Sequence, residues 1–226
     1  MRYFKRFYQG KYKGKSILGK IWFFIWQEDS VESWIINIIL AFILIKYLVY
    51  PGLGFILSTS HPIVAVVSGS MMHEGNFGEW WGNTGSWYEE AGITQEMFLT
   101  FTMKNGFNKG DIMVLVGSSP NKVNVGDIIV FSGARVNPRP DPIIHRVVKK
   151  IDKNGEWIFQ TKGDNYLTNP TSINGCQFRS GCLYESDIKE SQIIGKAFIR
   201  VPYLGYVKIF AVEFACLFHD FNFCIR

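Results

Sequence analysis

The stretch WIINIILAFILIKYLVY, Trp34 to Tyr50, constrains this chain more than any other part of it. Only Asn37 and Lys46 interrupt its apolar character, and at 1.5 Å rise per residue a helix of that length reaches roughly 25 Å, near the lower limit for crossing a bilayer. Beginning at Val31 makes the crossing comfortable. Trp34 at one end and Tyr47 with Tyr50 at the other suit the two membrane interfaces, and Lys46 lies close enough to an end to snorkel outward. Pro51 and Gly52 are expected to stop the helix. A buried core helix has the same composition, but the flanks argue against it. The first twenty residues carry seven Lys or Arg side chains (Arg2, Lys5, Arg6, Lys11, Lys13, Lys15 and Lys20), whereas 51–72 carry none. That asymmetry predicts a cytoplasmic N-terminus and an extracytoplasmic remainder. A cleaved secretory leader fits less well, because the apolar run is long and starts late. The segment IWFFIW, Ile21 to Trp26, is too short to cross and is expected to lie in the inner interface.

Composition agrees with a membrane protein. Of 226 residues, 47% are hydrophobic, 16% aromatic and only 19% charged. The net charge of +5 is concentrated at the N-terminus beside the apolar span, so it reads as a membrane flank rather than a nucleic-acid arm. Four cysteines are present. Cys176 and Cys182 are close enough for a disulfide in an external loop, or for two free thiols. Neither they nor Cys216 and Cys224 have the paired spacing of a zinc site, and no metal or cofactor is expected.

Downstream of the span, the sequence changes to short β-rich runs. His61 to Val67 reads as a strand entering a Ser68-Gly69-Ser70 turn. GDIMVLVG (Gly110 to Gly117) and GDIIVFSG (Gly126 to Gly133) read as two strands entered by the same Gly-Asp turn chemistry. Ile143 to Ile151 and Glu156 to Gly163 read as a hairpin turned by Asn154-Gly155, and Gln192 to Val201 as a further strand. Between them 75–109, rich in Gly, Asn and Trp with one helical patch near Thr94 to Phe101, reads as an insertion. Its Trp80, Trp81, Trp87 and Tyr88 suit an interfacial or groove-covering segment and equally a small aromatic core. The expected organisation is a basic segment over 1–30, a membrane helix over 31–50, a β-rich domain over 51–202 and an apolar C-terminal piece over 203–226 that lies on, or crosses, the membrane.

Three short stretches carry the candidate chemistry: Ser68-Gly69-Ser70-Met71, His145-Arg146 and Lys162-Gly163-Asp164-Asn165. A serine hydroxyl is a weak nucleophile until a neighbouring base takes its proton, and histidine titrates in the right range for that duty. A carboxylate on the far side of the ring fixes its tautomer and stabilises the cation. Taken singly, each stretch is also a common turn or a core histidine.

Taken in order, SGSM after an apolar strand, GDIIVF, HRVV and TKGDN resemble the type I signal peptidases of the archaeal and endoplasmic-reticulum type, in which His replaces the Lys of the bacterial enzymes. The resemblance runs from about Trp34 to Gly205, interrupted by 75–109. It implies a mainly β fold, a signal-peptidase-like catalytic domain with an N-terminal transmembrane helix and a hydrophobic C-terminal helix. It implies a serine endopeptidase with Ser70 as nucleophile, His145 as general base, Asp164 as orienting acid and Ser68 in the oxyanion hole. The implied partners are the signal peptides of preproteins, the lipid bilayer of the cell or endoplasmic-reticulum membrane and the secretion translocon, with no nucleic acid. Met71, Met72 and the apolar 51–57 segment are expected to keep the groove close to lipid.

The departures are specific. The family follows Ser-Met with Glu-Pro, whereas here Met72-His73-Glu74 comes next, which makes His73 a rival base three residues from Ser70. The family's second acid falls at Pro170, leaving Asn169 or Asp187 as substitutes. That gap motivates an alternative, a non-catalytic signal-peptide-binding subunit of the same fold. A third reading, a self-cleaving regulatory protease, is disfavoured by the membrane anchor and the lack of a DNA-binding region.

Overall fold

A computed structural model describes residues 16–133, 142–177, 181–207 and 209–210. Two compact units emerge, Met1–Leu53 and Gly54–Arg226. In the first, α1 (Ile17–Trp26) is capped by Ser16, and α2 (Val31–Leu44) by Ser30. Polar side chains of α2 satisfy the open carbonyls at the end of α1: Ser33 Oγ donates to Phe24 O at 2.6 Å and Asn37 Nδ2 to Ile25 O at 2.9 Å. Asn37, a polar interruption in the apolar stretch, thus serves as a helix cap for its neighbour.

Pro51 does not stop the helix. A π-helical turn over Ile45–Val49 precedes α3 (Tyr50–Ile56), and the helical run Val31–Ile56 covers 26 residues. Proline lacks an N–H and its ring crowds the carbonyl four residues back. The wider turn, in which the Tyr50 N–H reaches Ile45 O, accommodates both defects at the point where proline enters.

The second unit is built on an antiparallel seven-stranded sheet: β1 (Ile63–Ala65), β2 (Ile112–Val116), β3 (Ile128–Phe131), β4 (Ile143–Lys153), β5 (Glu156–Lys162), β8 (Ile188–Lys189) and β9 (Ile193–Val201). Its spatial order is β1-β2-β9-β3-β4-β5-β8, and β6 (Asn174–Gln177) and β7 (Gly181–Tyr184) form a separate ribbon. Register shifts in the β2–β9, β3–β9 and β4–β5 pairs bend the sheet. All four residues of β3 are buried. Ile128 and Val130 join one core with Val66, Met71, Phe107, Met113 and Leu115; Ile129 and Phe131 join a second with Val147, Phe159, Leu183 and Ile188.

The two Gly-Asp entries are the same turn. Gly110 and Gly126 have φ of 91° and 93°, and each following aspartate accepts from a backbone N–H three residues back: Asp111 from Asn108, Asp127 from Asn124, both at 2.9 Å. Asn154 and Gly155, at φ 57° and 86°, close the β4–β5 hairpin.

Segment 75–109 holds a helix that its sequence did not predict, α4 (Phe77–Glu90), ahead of the short α5 (Gln95–Leu99). An Asn76–Glu79 capping box starts α4. Trp80, Trp81, Tyr88, Ile93 and Phe98 bury themselves with Val148 on β4, so of the two roles left open for these aromatics the structure selects the small core. Cys176 and Cys182 are disulfide-bonded across the β6–β7 ribbon. The C-terminal helix expected over 203–226, the basic N-terminal stretch and Cys216 and Cys224 fall largely or wholly outside the described residues.

Candidate active site

The Ser68-Gly69-Ser70 turn leaves β1 with its hydroxyls together, Ser68 Oγ lying 3.1 Å from Ser70 Oγ. Met71, far from facing lipid, is 1% exposed and anchors the turn in the core. Three successive carbonyls are held from outside the turn. Gly69 O accepts from Asn165 Nδ2 at 3.0 Å, Ser70 O from Asn165 N at 2.8 Å, and Met71 O from Phe107 N at 3.0 Å. The asparagine of the TKGDN stretch is therefore the clamp on the SGSM turn.

His145 lies on β4, where Arg146 pairs across the sheet with Lys162 of β5. Carried one residue further, this register sets His145 opposite Gly163. Side chains at directly opposed positions lie about 4.5–5.5 Å apart at Cβ. A Cβ built on Gly163 would meet Ser70 O at 2.7 Å, so the missing side chain of Gly163 makes room for the serine turn beside the histidine strand.

The ring of His145 is held by Glu185, whose Oε1 lies 2.5 Å from Nδ1. Glu185 comes directly after β7, is fully buried, accepts from Thr161 Oγ1 at 2.9 Å and from Ile173 N at 2.6 Å, and through its backbone bonds Thr161 N and Ile173 O. His145 Nε2 has no hydrogen-bond partner among the described residues, and the side chain is buried at 4% exposure.

Asp164 is committed elsewhere. Its carboxylate takes Arg146 Nε at 3.0 Å and Nη2 at 2.7 Å, Tyr88 Oη at 3.0 Å and His73 Nε2 at 3.1 Å; its backbone O takes Trp80 Nε1 at 2.9 Å. Arg146 spends its remaining donors on the carbonyls of Thr102, Gly126 and Met103 and lies 4.8 Å from the Phe98 ring centroid. Burial alone would raise the Asp164 pKa, but the Arg146 charge and the bonds from His73 and Arg146 outweigh it and hold the carboxyl well below the usual range. Among the described residues no hydrogen bond joins Asp164 to His145. The orienting role that the resemblance implies for Asp164 therefore lacks a contact to carry it.

The remaining candidates fall into place around these groups. His73 stacks on Trp80 with ring centroids 3.6 Å apart, its Nε2 on Asp164 and its Nδ1 sealed without a partner. Asn169 packs against Gly163 and accepts from Thr168 Oγ1, and Asp187 is exposed in the turn before β8. Neither meets His145. Lys162 is buried over the rings of Trp87 and Tyr88; burial pushes its ammonium down to about 8, opposed by the carboxylates of Asp164 and Glu185. Glu185 was not singled out by the sequence. It lies two residues from Asp187 and in no recognisable motif, and only the return of the chain after β7 to Thr161 of β5 brings it to the histidine. No three or more His, Cys, Asp and Glu gather as a metal cluster among the described residues.

Comparison with known proteins points one way. No family model matches the chain. It is 27% identical over 167 residues to the signal peptidase complex catalytic subunit sec11 of Neurospora crassa, covering 74% of this chain and 73% of that protein. The Fusarium vanettenii subunit SEC11 is 26% identical over the same shares. The human subunit SEC11C is 29% identical over 112 residues, and there the match spans about half of each chain, 49% and 53%. The homologues of this chain are thus the catalytic subunits of signal peptidase complexes, in line with the resemblance carried by its four motifs.

Proposed function

We propose, from this relatedness to signal peptidase catalytic subunits, that the chain is a membrane-anchored serine endopeptidase that removes signal peptides from secreted preproteins after small residues. The observation that carries the reading is the packing of the serine turn into the space left by Gly163, opposite His145. Ser70 Oγ attacks the scissile carbonyl while His145 Nε2 takes its proton. The oxyanion forms between Ser68 Oγ and the Ser70 backbone N–H, a type of donor worth about 100- to 1,000-fold in rate. As the tetrahedral intermediate collapses, the imidazolium returns the proton to the departing amine. Water then attacks the acyl-enzyme by the same route.

His145 is favoured over His73 because a carboxylate holds its Nδ1 and its Nε2 is left without a partner among the described residues, whereas His73 Nε2 is taken by Asp164 and its Nδ1 is sealed beside the aromatic core. Asp164 supports the site from behind: paired with Arg146, it fixes the 163–165 segment whose Asn165 clamps the turn. The exposed apolar helix Val31–Ile56 supports anchoring in a membrane, with the basic flank on the cytoplasmic side. An extended substrate is read as adding at the edge strand β1, ahead of the serine turn.

Ser70→Ala is expected to abolish cleavage of a preprotein in detergent micelles while the protein still accumulates in membranes. His145→Ala is expected to cost at least ~100-fold in kcat. Full cleavage by either variant, or a large loss in His73→Ala with His145→Ala intact, contradicts the assignment. A non-catalytic binder of the same fold predicts instead that a serine-reactive phosphonate leaves Ser70 unlabelled.

A further inference from the structure

The resemblance leaves the base without an orienting acid, because the family's second acid falls at Pro170 and Asp164 is occupied by Arg146. We infer that Glu185 is the positioning residue of His145, an acid recruited from a different part of the chain; this rests on His145 being the base.

Elimination and geometry agree on this assignment. Around the His145 ring, Nδ1 faces Glu185 Oε1, and Nε2 has no hydrogen-bond partner among the described residues. A carboxylate at Nδ1 fixes the proton there, so the lone pair is on Nε2, where a serine proton can be received. Glu185 is itself immobilised: Thr161 Oγ1 shares Oε1, Ile173 N holds Oε2, and its backbone is tied to both of those residues. Its carboxylate is sealed from water and lies within electrostatic reach of the buried Lys162. Such a charge interacts strongly with an imidazolium formed beside it, because little solvent screens the pair. The ribbon that delivers Glu185 is stapled by the Cys176–Cys182 disulfide.

The test uses the full chain in detergent, monitoring labelling by a serine-reactive fluorophosphonate and cleavage of a preprotein as functions of pH. Glu185→Gln keeps the shape and removes the charge. It is expected to slow both reactions by ~100- to 10,000-fold at neutral pH with KM little changed. The acid limb of the kcat/KM profile is expected to move to lower pH, since the cationic ring has lost its counter-charge. A merely structural role would lower the amount of active protein without moving that limb. Glu185→Asp should recover part of the rate. If Glu185→Gln stays within threefold of wild type with the limb unmoved, or if the limb moves in Asp164→Asn instead, the inference fails while the reading of Ser70 and His145 stands. If Ser70→Ala or His145→Ala retains full activity, the underlying reading fails first. Should Glu185→Gln not fold, the unmodified protein decides: a far-downfield imidazole N–H proton resonance, absent in His145→Ala, is expected, and its absence from wild type overturns the inference.

Discussion

At the scale of single residues, the Arg146–Asp164 pair shows how a buried charge is kept. All five guanidinium N–H groups find acceptors, and the carboxylate collects four side-chain donors in return. Removing one partner leaves the other charged and unpaired, so Asp164→Asn is expected to destabilise the domain by about 3–5 kcal/mol at neutral pH, measured by denaturant unfolding. The pH dependence has a definite sign. Because the folded-state pKa of Asp164 lies below its unfolded value, its contribution is fully present above about pH 4 and is lost as pH falls through the folded value. The gap between wild type and Asp164→Asn should therefore narrow below about pH 4; a gap that stays constant would mean that the carboxylate charge contributes nothing. Motif order singled out Ser68, Ser70 and His145 as candidates in the sequence, but it could not say which acid each histidine meets. His73 and His145 take different carboxylates because they reach Asp164 and Glu185 from different loops and strands.

Secondary-structure elements divide the same way. The β4–β5 hairpin and the paired Gly-Asp turns were readable because the residues that dictate them are local: Asn154-Gly155 with positive φ, and an aspartate accepting from three residues back. Helix α4 was hidden, since Gly78, Gly82, Asn83 and Gly85 lower its intrinsic propensity. Two signals were nonetheless present, the Asn76-x-x-Glu79 capping box and aromatic residues at 77, 80, 81 and 88 with helical spacing. Tertiary burial of Trp80, Trp81 and Tyr88 compensates for the weak propensity. Gly85 belongs to the same solution: a Cβ there would meet the Trp81 ring at 2.5 Å. Asn76→Ala removes one half of the capping box and is expected to cost about 1 kcal/mol in a urea titration; no measurable change would show that packing alone holds the helix start.

For the whole molecule, the first-order constraint is the 26-residue apolar helix, whose most apolar window is left unburied among the described residues. Membranes containing the full chain are expected to retain it through alkaline carbonate extraction. Ile38→Lys combined with Phe42→Lys should release it to the supernatant, each central lysine costing about 2.5–3.5 kcal/mol on insertion. Equal retention of that double variant would remove the helix as the anchor. The sequence by itself determined the apolar helix, the β-rich character of the chain beyond it and the positions of the serine turn and the histidine strand, because periodicity, turn chemistry and short motifs are local properties. Only tertiary structure decided that the helix passes through Pro51, that the tryptophans form a core, and that Glu185 rather than Asp164 meets His145. Those outcomes depend on contacts between segments far apart in the chain, where the identity of a partner is set by how strands return to one another and not by spacing.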